Sequence, residues 1–373
     1  MRRRHVVGNA ALLAIAFLPL APALAPQCQS LPRWLVDRAR EDKELEDLSA
    51  LLGSVSMACK TISNLVQRAG LEDLTGLAGD INVQGEEQKK LDLVANDVLK
   101  DALRYTGKVG LAASEEEADP MLVEEAYGSK YVAVFDPLDG SSNVDAAVAT
   151  GTIFGVFKQN VECIVKERDE PGALDEAETR CLLNALQPGT SLVAAGYCMY
   201  SSSTVLVFTL GDGVHGFTLD PRTNEFVLSH NRIEVPETGP YYSFNEGNVG
   251  GWDDPVVAYL EALKAGTGSQ NRRYGSRYVG SMVADVHRTL LYGGVYGYPA
   301  DPKNKAGKLR LLYEAAPMSF LVEQAGGLCS TGREPIMGVV PTSVHQRVPV
   351  FLGSRDDVAE LEAFYRAADE RCG

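Results

Sequence analysis

Two short apolar runs in the first half of the chain, residues 108–114 and 130–135, each end directly in carboxylates. The first leads into Ser114-Glu115-Glu116-Glu117, the second into Asp136-Pro137-Leu138-Asp139-Gly140-Ser141-Ser142. Runs this short and this apolar predict buried strands, and neighbouring strands of an open sheet deliver the residues at their carboxyl ends to a common crevice. Carboxylates gathered there repel one another, so something must neutralise them, and divalent cations with oxygen ligands are the simplest answer. The second loop adds to this. Pro137 stiffens it, the Leu138 carbonyl is a hard ligand, and Gly140-Ser141-Ser142 offers the N–H groups and hydroxyls that cradle a phosphate. Metal and phosphate would then share one loop, the layout for metal-assisted displacement at phosphorus by water. Taken singly, a triple Glu is usually a solvated face and Asp-Pro-Leu-Asp-Gly an ordinary turn. It is their combination that points to a site.

Taken as a total, the charge opposes this. Over 373 residues, 35 Lys+Arg stand against 50 Asp+Glu, a formal net charge of -15. That excludes a dedicated nucleic-acid binder, which needs a basic excess to displace phosphate counterions. An anionic small molecule is not excluded, because the charge is unevenly spread. Residues 80–150 hold 15 acids and 6 bases, whereas residues 270–310 hold 2 acids and 8 bases. An acidic segment suited to cations is thus balanced by a basic one suited to a phosphate.

Around these clusters the periodicity predicts a helix from Leu48 to Val66, with apolar residues at 48, 51, 52, 55, 59, 62 and 66, and a second beginning near Leu91 with Val94, Val98 and Ala102 on one side. Strands are expected at 151–157, 191–200, 204–210 and 214–219, the last two joined by a turn at Gly211-Asp212-Gly213. In the second half, 255–263 and 281–291 read as helices and 295–298 as a strand. Residues 308–325 read as one long helix carrying Glu314, kinked at Pro317 and ended by Gly326-Gly327. A strand at 348–353 and a closing helix at 356–368 complete the pattern. The polar stretch 158–187, with Pro171-Gly172, Cys163 and Cys181, reads as an insertion between two strands.

Residues 1–30 differ from the rest. Arg2, Arg3 and Arg4 precede an apolar run from Ala10 to Leu18 and Ala-Pro steps through Pro26. This is the pattern of a signal-type leader with a cut near Ala25, too short to serve comfortably as a membrane anchor. The expected organisation is therefore a leader (1–30), an N-terminal domain with the metal loop and insertion 158–187 (31–233), and a C-terminal domain (234–373). The seven cysteines include no CxxC pair, so neither a zinc site nor a dense disulfide framework is implied.

The run Phe135-Asp136-Pro137-Leu138-Asp139-Gly140-Ser141-Ser142-Asn143 resembles the signature of the fructose-1,6-bisphosphatases. It is joined by Ser114-Glu115-Glu116, Arg277-Tyr278-Val279-Gly280-Ser281-Met282, Ala284-Asp285-Val286-His287-Arg288-Thr289 and Gly307-Lys308-Leu309-Arg310-Leu311-Leu312-Tyr313-Glu314. The likeness extends over roughly residues 45 to 365. It implies an α/β sugar-phosphatase fold layered α-β-α-β-α, a homotetramer, and hydrolysis of the 1-phosphate of fructose 1,6-bisphosphate. Mg2+ would be the cofactor, with Mn2+ as a substitute. The implied metal ligands are Glu115, Asp136, the Leu138 carbonyl, Asp139 and Glu314, with Glu116 at an adjoining site. Asp92 and Glu116 would activate the water, and Glu86 would ride a loop that closes over the metals. Gly140 and Ser141, with Ser142 beside them, would take the 1-phosphate. Asn245, Tyr278, Tyr298 and Lys308 would meet the sugar and 6-phosphate, with Arg277 reaching in from a neighbouring subunit.

The insertion resembles that of the plastid, light-regulated branch, with Cys163 and Cys181 at the places of its two main cysteines. This implies a disulfide reduced by thioredoxin, whose closure would restrict the unlinked chain by about 3 kcal/mol. It also implies a plastid stroma reached through the signal-type leader, with no stable membrane insertion once that is removed. Where AMP-inhibited members carry Gly-Thr-Gly-Glu and Thr, this chain reads Glu44-Leu45-Glu46-Asp47-Leu48-Ser49, which opposes a nucleotide phosphate. Sedoheptulose-1,7-bisphosphatase is the near alternative. A non-catalytic redox-sensing scaffold is the distant one, disfavoured because no named carboxylate is missing.

Overall fold

The computed structural model describes residues 29–372 apart from 73, 82–86, 124–129 and 160–183. The leader, Glu86, Cys163, Cys181 and most of the expected insertion lie outside the described residues. A small hairpin, β1 (Leu77–Ile81) and β2 (Glu87–Lys89), precedes the main sheet. That sheet has eight strands: β3 (Val109–Ser114), β4 (Met121–Leu122), β5 (Tyr131–Asp139), β6 (Thr150–Lys158), β7 (Leu192–Tyr200), β8 (Thr204–Thr209), β9 (Val214–Asp220) and β10 (Glu225–Ile233). Their spatial order is β10-β9-β8-β7-β6-β5-β3-β4. All the ladders are antiparallel except β3 with β5.

Both faces of this sheet are covered, which is why its central strands read as unbroken apolar runs rather than alternating ones. Val109, Ala112, Tyr131, Ala133 and Phe135 face the helices Leu31–Glu41, Glu46–Arg68 and Lys90–Arg104. Leu111, Ala113, Val132 and Val134 face the helices Met282–Tyr292 and Ala316–Gln324. Beyond these lies a five-stranded sheet of β11 (Tyr241–Ser243), β12 (Gly275–Ser276), β13 (Val295–Tyr298), β15 (Leu328–Ser330) and β17 (Val350–Gly353), in the order β12-β11-β13-β17-β15. Tyr296, Val350 and Leu352 turn to the middle layer, while Val295 and Phe351 turn to the outer helices Asp254–Ala265 and Arg355–Cys372. The result is a mixed α/β fold in five layers, helix, sheet, helix, sheet, helix.

The structure departs from these expectations or adds to them at three places. The segment expected as one helix over 308–325 is three pieces. Leu309–Arg310 (β14) pairs with Arg347–Val348 (β16), Leu311–Ala315 forms a π-helical turn, and the α-helix runs from Ala316 to Gln324. Pro317 lies in the first turn of that helix, where its missing N–H is not needed, so it starts the helix instead of kinking it. The helix Lys90–Arg104 buries Leu91, Asp92, Ala95, Asn96, Leu99 and Leu103. Val94, Val98 and Ala102 are only half-buried, because the face toward the sheet includes two polar residues that apolar periodicity cannot register. Strand β10 was not expected. It lies at the edge of the sheet and is half polar, with Ser229-His230-Asn231-Arg232 in succession, so it lacks the apolar density of a central strand.

Candidate active site

Strands β3 and β5 are parallel neighbours, with Ser114 opposite Phe135. The register continues past the strand end, where the Glu115 N–H donates to the Phe135 carbonyl (3.2 Å). Glu115 and Asp136 are thereby delivered side by side. Strand β5 runs on past the apolar run to Asp139, its pairing with β6 shifting register between Asp136 and Asp139, and there the Leu138 N–H donates to Asp136 Oδ1 (2.9 Å). Asp139 then meets the start of the helix Met282–Tyr292, accepting from Ser281 Oγ (2.7 Å) and the Val283 N–H (3.0 Å). Gly140 turns the chain with φ +72°, and a Cβ there would lie 2.9 Å from that of Ser281. Only glycine fits both the backbone and the space.

Glu314 arrives from the π-helical turn. Asp136, Asp139 and Glu314 are buried, and one oxygen from each lies within 4.8 Å of the other two. Arg310, 4% exposed, sits against this group, with Nη1 2.9 Å from Glu115 Oε1 and 3.9 Å from Glu314 Oε2. Burial, together with the charges of Glu115, Asp139 and Glu314, raises Asp136 well above the carboxylate range. Burial lifts Asp139 to about 6 against the N–H and O–H groups of Val283 and Ser281. Burial likewise lifts Glu314 to about 8 despite Arg310. A compact set of buried, oxygen-only, mutually repelling donors suits a hard divalent cation.

These groups line a cavity of about 260 Å³. Of the residues singled out from the sequence, Asp92, Glu115, Glu116, Asp136, Leu138, Asp139, Gly140, Ser141, Ser142, Tyr278, Tyr298, Lys308 and Glu314 all reach its wall. Asn245 and Arg277 do not. Asn245 opens the turn Glu246–Gly251, and Arg277 turns its guanidinium over the Tyr241 ring (5.0 Å) and onto the Ser276 carbonyl (2.7 Å). Asp92 Oδ2 accepts from the Lys89 N–H (3.0 Å), while Oδ1 is buried with no hydrogen-bond partner among the described residues. Burial, reinforced by the charge of Glu116, pushes Asp92 up to about 7.

Some wall residues were not assigned a role from the sequence. Gln88 Nε2 donates to Glu116 Oε2 (2.5 Å). Asp285 accepts the N–H groups of Val279 and Gly280 and so shapes the loop bearing Tyr278. Arg310 had one available signal, a lone charge four residues before Glu314 in an apolar run.

A family model described as the fructose-1-6-bisphosphatase N-terminal domain matches residues 29–231, and one for the C-terminal domain matches residues 235–366. The chain is 54% identical over 338 residues to fructose-1,6-bisphosphatase 1, chloroplastic, of Arabidopsis thaliana, covering 91% of this chain and 81% of that one. It is 53% identical over 339 residues to the chloroplastic fructose-1,6-bisphosphatase of Spinacia oleracea, with the same coverage. The crystal structure of Leishmania major fructose-1,6-bisphosphatase in holo form superimposes with a TM-score of 0.81 at 38% identity, covering 91% of this chain and 100% of that one. With both domains of the family represented and the buried acidic cluster of a sugar bisphosphatase in place, the chain belongs to the fructose-1,6-bisphosphatase family.

Proposed function

We propose that the chain hydrolyses the 1-phosphate of D-fructose 1,6-bisphosphate to fructose 6-phosphate and phosphate, with Mg2+ as the working cation and Mn2+ able to replace it. The observation that carries this reading is one cavity whose wall includes both buried carboxylates and Lys308 with Tyr298. Glu115, Asp136, the Leu138 carbonyl, Asp139 and Glu314 would hold the cations, with Glu116 beside them. A bound divalent cation polarises the phosphoryl oxygens, acidifies water and stabilises the leaving alkoxide. Asp92 Oδ1, poised near neutrality, is the atom to take the water's proton. Glu86 belongs to the same reading as the residue of a closing loop. Gly140, Ser141 and Ser142 would cradle the 1-phosphate. Lys308, whose Nζ lies 5.8 Å from the centre of the Tyr298 ring, would hold the far phosphate with Tyr278, and Asn245 and Arg277 would add to that grip in a homotetramer.

Regulation and place belong to the same proposal. The insertion joins β6 to β7, and β6 is hydrogen-bonded to β5 from Tyr131 to Asp139. A disulfide between Cys163 and Cys181, reduced by thioredoxin, would therefore act on a strand next to the one bearing Asp136 and Asp139. The relatives named chloroplastic support a plastid location, and no helix among the described residues is long and apolar enough to cross a membrane. AMP insensitivity is supported at the start of the helix Glu46–Arg68, where Asp47 is paired with Lys108 and Lys130 (both 2.5 Å) and exposed Glu44 and Glu46 stand beside it. The deciding experiment is phosphate release from fructose 1,6-bisphosphate with Mg2+, before and after reduced thioredoxin, against sedoheptulose 1,7-bisphosphate. A higher kcat/KM for the fructose ester supports the proposal. Preference for the sedoheptulose ester, or no turnover, overturns it.

A further inference from the structure

His345 belongs to none of the segments that carry acidic residues, yet it touches two of them. The pairing of β16 with β14 continues as the Leu311 N–H donates to the Gln346 carbonyl (2.7 Å). This carries the His345 ring to the π-helical turn, where Nδ1 lies 2.7 Å from the Tyr313 hydroxyl oxygen, one residue before Glu314. At its other edge Nε2 lies 3.0 Å from the Glu117 carbonyl and 3.3 Å from that of Ala118, just after Glu115 and Glu116. Carbonyl oxygens only accept, so Nε2 carries the proton, and in the neutral ring Nδ1 accepts from the Tyr313 O–H. One imidazole thus spans the turn following β3 and the turn holding Glu314. The Glu117 carboxylate accepts from Asn96 (2.9 Å) and Lys100 (2.6 Å), so this residue is held through its side chain as well as through its backbone carbonyl.

We infer that His345 is a positioning residue, a clamp that fixes Glu115 and Glu116 relative to Glu314 and thereby sets the affinity of the divalent-cation site. Carboxylates that repel in a buried site drift apart unless the backbone segments bearing them are tied, and the clamp supplies that tie beside the Arg310–Glu115 ion pair. The inference rests on the reading of these carboxylates as cation ligands. It goes beyond that reading in naming a residue that touches neither cation nor substrate.

The test is Mn2+ binding without substrate, followed by the electron paramagnetic resonance signal of free Mn2+, well below each variant's melting temperature. His345→Ala is expected to raise the Mn2+ dissociation constant about tenfold or more. His345→Gln, whose amide can still donate to the Glu117 carbonyl, is expected to recover part of that loss. Tyr313→Phe, which keeps the ring and removes only the hydroxyl, is expected to weaken binding in the same direction. Unchanged affinity in folded His345→Ala or Tyr313→Phe overturns the inference, as does an equal loss in the Ala and Gln variants. Should His345→Ala not fold, Tyr313→Phe decides. Glu314→Gln tests the underlying reading separately. If it binds Mn2+ as well as the unaltered chain, the carboxylates are not the ligands and the clamp falls with them.

Discussion

Arg310 Nη1 lies 2.9 Å from Glu115 Oε1, and both side chains are largely withdrawn from water. Among the described residues, Arg310 is thus a fixed cation set against at least four carboxylates, since Asp136, Asp139 and Glu314 share the cluster. The chain carries its own partial neutralisation of a cluster whose buried oxygens could hold a metal ion. Removing Arg310 leaves Glu115 and Glu314 buried without it. In EDTA, Arg310→Ala is expected to lose about 3–5 kcal/mol of stability by urea denaturation. Mg2+ or Mn2+ should restore part of this. A loss that neither cation changes would mean that the arginine and the ions do not share one electrostatic role.

The pH dependence has a definite sign. Asp139, Asp92 and Glu314 are raised to about 6, 7 and 8, and Asp136 is also raised, so the folded chain holds protons that the unfolded chain has released. Their contribution to stability is complete below an ordinary carboxylate value of about 4 and is lost as pH rises through the folded values. Without divalent cations, stability should fall between about pH 4 and pH 8. With Mg2+ the slope should flatten, because cations favour the ionised forms, and the activity midpoint should move to lower pH as Mg2+ is increased. Calorimetric melting across this range with EDTA and with Mg2+ checks the stability slopes, and pH–rate profiles at several Mg2+ concentrations check the activity midpoint.

Asp92 presents a buried Oδ1 with no hydrogen-bond partner among the described residues. Asp92→Asn keeps the shape and removes the proton acceptor. A fall in kcat of about 10²–10⁴-fold is expected, with much less change in KM for the sugar bisphosphate. Steady-state kinetics at saturating Mg2+ separates this from a binding defect, which would appear in KM.

Gly140 combines φ +72° with a close approach to Ser281. Gly140→Ala is expected to cost about 1–2 kcal/mol from the left-handed backbone, with a further cost as Ser281 is pushed off Asp139. Thermal unfolding measures the first. A matched loss in Mn2+ affinity would report the second.

For regulation, activity of the oxidised chain is expected to rise on reduction with dithiothreitol, and Cys163→Ser should be active without it. An equal response in both would exclude the Cys163–Cys181 disulfide as the switch.

Much of this was legible in the sequence because it is local. Burial on both faces makes the central strands continuous apolar runs, so β3, β5, β6 and β7 could be located closely. Gly140 and its hydroxyl-bearing neighbours announce a turn suited to phosphate. What failed was also physical. Residues 308–325 have helical composition throughout, but β16 captures Leu309–Arg310 in the antiparallel pairs Leu309–Val348 and Arg310–Arg347, whose partners lie 39 and 37 residues apart along the chain. Long-range pairing of this kind overrides local propensity and leaves no local trace.

The sequence by itself determined which chemistry was possible. It set hard oxygen donors at the ends of two strands, a glycine- and hydroxyl-bearing turn after the second, and a basic segment elsewhere. Only the tertiary structure decided which of these groups meet. The parallel register of β3 and β5 sets Glu115 beside Asp136, the helix start at Ser281 seizes Asp139, and the π-helical turn brings in Glu314 with Arg310. His345 reaches a carbonyl 228 residues away, at Glu117. Such contacts depend on how sheets and helices stack, because repulsion, burial and hydrogen-bond geometry act through space and not along the chain.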